Sequence, residues 1–123
     1  MKIVPLLRCQ DLKKSVDFYT TVLDFKLKYP EYESNEWVIE LIHGDAELIL
    51  ASVDGTPKTA IYIMVADVDA IFNKYVGRGL LIPNRPESPV HNSPLDQTWG
   101  LREFYINDLD GNTLRFATPC FRD

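Results

Sequence analysis

Apolar and polar positions change their period several times along this chain, and each change marks an element. Residues 3–9 run almost continuously apolar through Ile3, Val4, Leu6, Leu7 and Cys9, the pattern of a buried strand. Asp11 then stands as an N-cap before Leu12, Val16, Tyr19 and Leu23, which recur at helical spacing. Phe25, Leu27 and Tyr29 alternate with Lys26 and Lys28. Trp37–Ile42 supplies a further strand, and His43-Gly44-Asp45 turns into Ala46–Ser52. The first half therefore predicts the order βαβββ.

After the linker Asp54-Gly55-Thr56-Pro57 the order restarts. Thr59–Val65 reads as a strand, and Asp67 caps a helix carrying Val68, Ile71, Phe72 and Tyr75, stopped at Gly77 or Gly79. Leu80–Ile82 begins another strand, followed by a proline-rich loop from Pro83 to about Pro94. The strongest local signal is Thr98–Phe116, where Asp108-Leu109-Asp110-Gly111-Asn112 separates two alternating runs. It predicts a β-hairpin whose turn needs Gly or Asn at positive φ.

One domain of two tandem modules follows, spanning 1–53 and 58–123. The fold class is α+β, with two βαβββ modules forming curved mixed sheets around a cleft and the helices on the outer face. Each sheet has one face covered by its helix and one bare, so the bare faces are buried against each other or across a dimer interface. The segment from Pro83 to Trp99 either folds over the cleft or serves as a surface connection.

With 123 residues, 46% of them hydrophobic, the chain is long enough for one ordinary core and too short for two large ones. A formal net charge of -5 argues against a duplex nucleic-acid footprint and would favour a cationic ligand if it converged on the cleft. The longest apolar runs are strand-sized and the N-terminus has no signal-peptide pattern, so no membrane span and a cytoplasmic location are expected. Cys9 and Cys120 have no framework or CxxC spacing and are expected as reduced thiols. Neither a GxSxG setting for any serine nor a glycine-rich phosphate loop is present. General acid–base chemistry by Glu47 or Glu103 is left open.

The doubled module order, the segment Asp11-Leu12-Lys13-Lys14-Ser15-Val16-Asp17-Phe18-Tyr19 with Val22-Leu23-Asp24-Phe25, and the terminal hairpin together resemble the glyoxalase, bleomycin-resistance and extradiol-dioxygenase superfamily over nearly the whole chain. The helix segment is similar to D-x-x-x-S-x-x-F-Y-x-x-x-L-G-F, with Asp24 where glycine is usual. The hairpin is similar to W-G-x-R-E-F-x-x-x-D-P-D-G-N-x-x-x-F, with Leu109 in place of proline.

Enzymes of that superfamily hold a divalent metal on four inward side chains, usually His or Glu, one from each of four strands. The resemblance maps those positions onto Val4, Ile49, with Glu47 the nearest carboxylate, Ile61 and Arg115. Three aliphatics and a guanidinium do not bind a divalent cation, so neither metal nor other cofactor is expected. The histidines, His43 and His91, are expected as exposed turn and loop residues without a role. If the four positions face one cleft, it has an apolar floor with a fixed cation. Arg115 either pairs with an anionic or carbonyl-bearing ligand or forms an internal salt bridge with Glu47, Glu103 or Glu40.

The resemblance to bleomycin-resistance proteins implies a ligand-stacking surface at Trp99. Trp37 and Phe104 either add aromatic walls or belong to the core. What the resemblance implies is a metal-free homodimer that binds and sequesters a small organic molecule, without nucleic-acid or membrane partners. The alternatives are a lyase, isomerase or dioxygenase-like enzyme with an atypical site, and a plain interaction or regulatory domain whose cleft is filled by side chains.

Overall fold

The computed structural model describes residues 2–30, 37–52 and 58–120. The elements run β1 (Leu6–Arg8), α1 (Leu12–Thr21), β2 (Lys26–Leu27), β3 (Val38–His43), β4 (Ala46–Ala51), β5 (Ala60–Met64), α2 (Val68–Gly77), β6 (Leu95–Asp96), β7 (Leu101–Asn107) and β8 (Thr113–Pro119). A single 3-10 turn, Pro89–His91, precedes β6. The predicted linker at 54–57 lies outside the described residues. No helix among the described residues is long and apolar enough to cross a membrane.

The protein is α+β, with two four-stranded mixed sheets ordered β1-β4-β3-β2 and β5-β8-β7-β6. Each sheet has a parallel pair, β1 with β4 and β5 with β8, and an antiparallel two-residue edge strand, β2 and β6. Edges this short offer little backbone for unwanted pairing. Both helices start as their sequences require: Asp11 and Asp67 are extended and accept hydrogen bonds from Lys14 N–H and Ala70 N–H at 3.1 Å each.

By its contacts the chain falls into two compact units. The first is Met1–Thr59 with Asn107–Asn112, the second Ala60–Ile106 with Thr113–Asp123. In the first, alternation along the strands buries Leu7, Ile39, Leu41, Leu48 and Leu50, which the register places on one face. Helix α1 contributes Leu12, Ser15 and Tyr19, and the Tyr19 ring meets Phe18 and Phe25 edge-on. In the second, Phe104 and Phe116 stack with centroids 5.2 Å apart, and Phe72 and Tyr75 of α2 close on them edge-on.

Two local departures from the sequence expectation have simple causes. Leu80–Ile82 forms no strand: Leu81 is almost fully exposed and Pro83 follows directly. The edge position is taken instead by β6, which comes after the proline-rich loop. His43 and His91 are half-buried, the His43 ring edge-on to Phe25 at 5.3 Å and the His91 ring edge-on to Tyr105 at 5.7 Å. Asp24, where the family motif has glycine, sits at φ +68, a conformation that glycine adopts without a Cβ penalty. Cys9 and Cys120 are both free thiols, and burial pushes the Cys9 thiol up from its ordinary pKa, which suppresses the reactive thiolate.

The turn between β7 and β8 is a polar knot in the first unit. Asp108 Oδ1 accepts from the N–H groups of Asp110 and Asn112, both at 2.9 Å, and Oδ2 accepts from Asn112 Nδ2 at 2.9 Å and Tyr19 Oη at 2.8 Å. Asn112 Nδ2 also donates to the Arg8 carbonyl at 2.9 Å, and its Oδ1 accepts from Thr59 N–H at 3.0 Å. Asp110 accepts from Gln10 N–H at 2.8 Å and from Ser15 Oγ at 3.2 Å. Gly111 at φ +81 lets the backbone double back.

Replacing Asp108 by Ala strips four donors of their acceptor in a buried setting. Asp108→Ala is expected to lower unfolding free energy by about 3 kcal/mol, while Leu109→Ala at the exposed tip stays within about 0.5 kcal/mol, as measured by urea denaturation.

Candidate functional site

The open face of the second sheet carries the chemistry. Parallel register pairs Tyr62 of β5 with Arg115 of β8, and antiparallel register pairs Leu95 of β6 with Glu103 of β7. Side chains paired in register share a face, so Tyr62 and Arg115 lie on one side and Ile61, paired with Leu114, on the other. Leu114 is fully buried with the core. Trp99 lies in the turn from β6 to β7, which is closed by hydrogen bonds from Gln97 N–H to the Leu101 carbonyl at 2.8 Å and from Gly100 N–H to the Gln97 carbonyl at 3.2 Å. Gly100 takes φ +88 there.

Glu103 is the centre of this face. It is 0% exposed, yet its carboxylate has donors at both oxygens. Oε2 accepts from Trp99 Nε1 at 2.7 Å and Tyr62 Oη at 3.0 Å, and Oε1 accepts from Arg115 Nη2 at 3.2 Å. Arg115 Nη2 also donates to the Tyr105 hydroxyl. The guanidinium is sandwiched between two rings, 4.5 Å from the Tyr62 centroid and 4.4 Å from that of Tyr105. His91 abuts Tyr105, with Nδ1 2.8 Å from Ser88 Oγ.

Electrostatics follow from this packing. Burial alone drives the Glu103 pKa upward, but hydrogen bonds from Trp99, Tyr105, Tyr62 and Arg115 together outweigh it and hold the carboxyl below its usual range. Burial and the neighbouring Glu103 carboxylate raise the phenols of Tyr62 and Tyr105. At neutral pH the phenols stay protonated and Glu103 stays ionised with its lone pairs occupied. The arrangement suits holding a surface in place more than moving a proton. Arg115 thus makes the internal salt bridge, with Glu103 as its partner.

What remains accessible is aromatic. Trp99 is 53% exposed and Tyr62 is 45% exposed, with Met64 projecting from the same side of β5. At the sheet edge, Arg102 reaches Asp69 of α2 through Nε at 2.9 Å and Nη2 at 3.0 Å, and Asp96 of β6 through Nη1 at 3.1 Å. The hydrogen bonds from Arg102 lower the Asp69 pKa. These contacts tie the short strand preceding Trp99 to the helix.

The other residues named from the sequence fall in different places. Phe104, offered as a cleft wall or a core residue, is core: it is 1% exposed within the aromatic stack against α2. Trp37 belongs to the first unit and is 67% exposed just before β3. Ile49 is half-buried on the face of the first sheet opposite the core leucines, in register with Leu6 and Glu40, and the half-buried Val4 lies in the segment leading into β1. Glu47, on the same face as Ile49, is paired with Lys28 Nζ at 2.5 Å and with Lys2.

The superfamily's metal does not fit these residues. Val4, Ile49 and Ile61 offer no donor atom, and the Arg115 guanidinium, permanently protonated, is engaged with Glu103 and Tyr105. Among the described residues no group of three or more His, Cys, Asp or Glu side chains is placed to hold an ion.

Sequence reasoning missed Tyr62 and Tyr105, and it assigned to Ile61 the face that Tyr62 occupies. The run Ala60-Ile61-Tyr62-Ile63-Met64 is apolar at both parities, so alternation there gives no signal. The one available signal was the parity of Arg115 relative to its neighbouring strand.

The glyoxalase/bleomycin resistance protein/dioxygenase superfamily model matches residues 3–116, and the chain belongs to that superfamily. No curated protein sequence matches it significantly. Among solved structures, it is similar to TioX from Micromonospora sp. ML1, with 20% identity, a TM-score of 0.73, and 100% of this chain and 99% of that chain covered. It is similar to a bleomycin resistance determinant encoded on the transposon Tn5, with 18% identity, a TM-score of 0.79 and coverage of 98% and 99%. A bleomycin-binding protein from Streptomyces verticillus, complexed with copper(II)-bleomycin, shares 20% identity with a TM-score of 0.73 and coverage of 94% and 93%. Likeness at these identities concerns the fold.

The Glu103 cluster sets a pH dependence. A carboxyl whose pKa is depressed on folding stabilises the native state above its unfolded pKa, and that contribution is lost as pH falls through the folded value. Wild-type protein is expected to lose stability below about pH 4.5 more steeply than Glu103→Gln, measured by thermal unfolding across pH 3–7.

Proposed function

We propose that this protein is a metal-independent binder of a small organic molecule, of the bleomycin-resistance type, that sequesters a drug or metabolite on an aromatic surface. The observation that carries it is Trp99: a half-exposed indole whose one polar atom is turned inward to the buried Glu103 carboxylate, leaving the ring faces for a ligand. Flat aromatic faces suit planar heteroaromatic or cationic groups through stacking and cation–π attraction. Similar structures of bleomycin-binding proteins complexed with bleomycin support the ligand class. Tyr62 extends the surface, while Arg115 is spent on Glu103 and the two tyrosine rings.

The working form is a cytoplasmic homodimer. It is supported by the apolar side chains left on the sheet faces, Leu6, Val38 and Ile49 in the first unit and Tyr62 and Met64 in the second.

Bleomycin is the first ligand to test. Calorimetric titration is expected to give saturable binding that Trp99→Ala weakens about 3- to 30-fold, the factor that one stacking or cation–π contact supplies. Unchanged affinity in that variant overturns the stacking role. Native mass spectrometry of protein purified without chelator is expected to give a dimer mass free of metal. A stoichiometric divalent ion would favour an enzyme instead.

A further inference from the structure

Resting on that reading of Trp99, we infer that Arg115 and Glu103 are positioning residues for the ligand surface: Arg115 fixes the Glu103 carboxylate, and Glu103 fixes the direction in which the Trp99 indole N–H points.

Trp99 is 53% exposed, so packing covers only about half of it. Its single N–H has a fixed direction, because a hydrogen bond at 2.7 Å to a buried acceptor sets where it points. That acceptor needs holding as well. Oε2 is shared with the Tyr62 hydroxyl, and Oε1 meets a guanidinium held over the Tyr62 and Tyr105 rings. Orientation therefore passes from the tyrosine sandwich through Arg115 to Glu103 and out to Trp99. A lysine at position 115 keeps the charge but has no plane to be sandwiched and no fork to direct at Oε1.

The test uses the full-length chain with Trp37→Phe, which leaves Trp99 as its sole tryptophan. In that background the indole N–H resonance reports Trp99 alone, as does the circular dichroism above about 290 nm, where tyrosine and phenylalanine do not absorb. Glu103→Gln and Arg115→Lys are each expected to move the resonance upfield, to speed its exchange with water about tenfold and to flatten the dichroism, with cooperative unfolding retained. Tyr62→Phe keeps the ring and removes the competing donor on Oε2, so the resonance is expected to move downfield. Opposite shifts from two sides of one carboxylate are a signature that general loosening of the fold does not produce. An indole signal that stays put in folded Glu103→Gln and Arg115→Lys overturns the proposal. If those two fail to fold, Tyr62→Phe, at a half-exposed position that keeps its ring, decides alone, and no downfield shift overturns it.

Bleomycin affinity of the same substitutions made in the native chain, with Trp37 intact, separates the two levels of inference. Losses in Glu103→Gln and Arg115→Lys that approach the Trp99→Ala loss support both. Affinity indifferent to Trp99→Ala refutes the functional reading, and the indole signal still decides whether the ring is positioned from beneath.

Discussion

A carboxylate taken out of water must be met by donors at both oxygens, and this protein meets that demand twice along one hairpin. At the turn, Asp108 gathers two backbone N–H groups, an amide and a phenol. Within β7, Glu103 gathers an indole, a phenol and a guanidinium. An unmatched buried carboxylate costs several kcal/mol, so each one fixes its donors as firmly as they fix it. The first arrangement shapes the hairpin tip, and the second shapes the open face on which the aromatic side chains stand.

Much of the fold could be read from the sequence because its determinants are local. Asp11 and Asp67 each precede an apolar helical period, and each caps its helix with the same hydrogen bond. Along β3 and β4 the apolar Ile39, Leu41, Leu48 and Leu50 are buried, while Glu40 and Glu47 take the other parity. The hairpin announced itself through Asp108, Gly111 and Asn112. The edge strand β6 was illegible for the opposite reason: two residues beyond a proline-rich loop have no period, and only pairing with β7 makes them a strand.

The site was legible in part. Trp99 and Arg115 stood out as an aromatic and a cation in unusual positions, and a salt bridge to Glu103 was one of the pairings open to Arg115. The tyrosine sandwich was not visible, because it depends on the register between β5 and β8, and parallel register is set by contacts distant in sequence. Arg115 meets Glu103 and Tyr105 of β7 on one side and Tyr62 of β5 on the other, so the guanidinium at the position the resemblance maps to a metal ligand is part of an internal ion pair. The Glu103 carboxylate offsets its charge, and the side chains left accessible on this face include Trp99, Tyr62 and Met64.

The assignment of Asn107–Asn112 to the first unit bears on when that unit can finish folding. A nascent chain carrying only the first module has the Tyr19 hydroxyl, the Arg8 carbonyl and the Gln10 N–H in place but lacks their partners, which are translated near the end of the sequence. Pairing of β5 with β8 waits on the same C-terminal stretch. Contacts this far apart carry a high loop-closure entropy, and folding that depends on them is slow. Native structure in the first unit is thus coupled to synthesis of the 108–112 turn, and a shorter fragment leaves the Tyr19 hydroxyl, the Arg8 carbonyl and the Gln10 N–H without those partners.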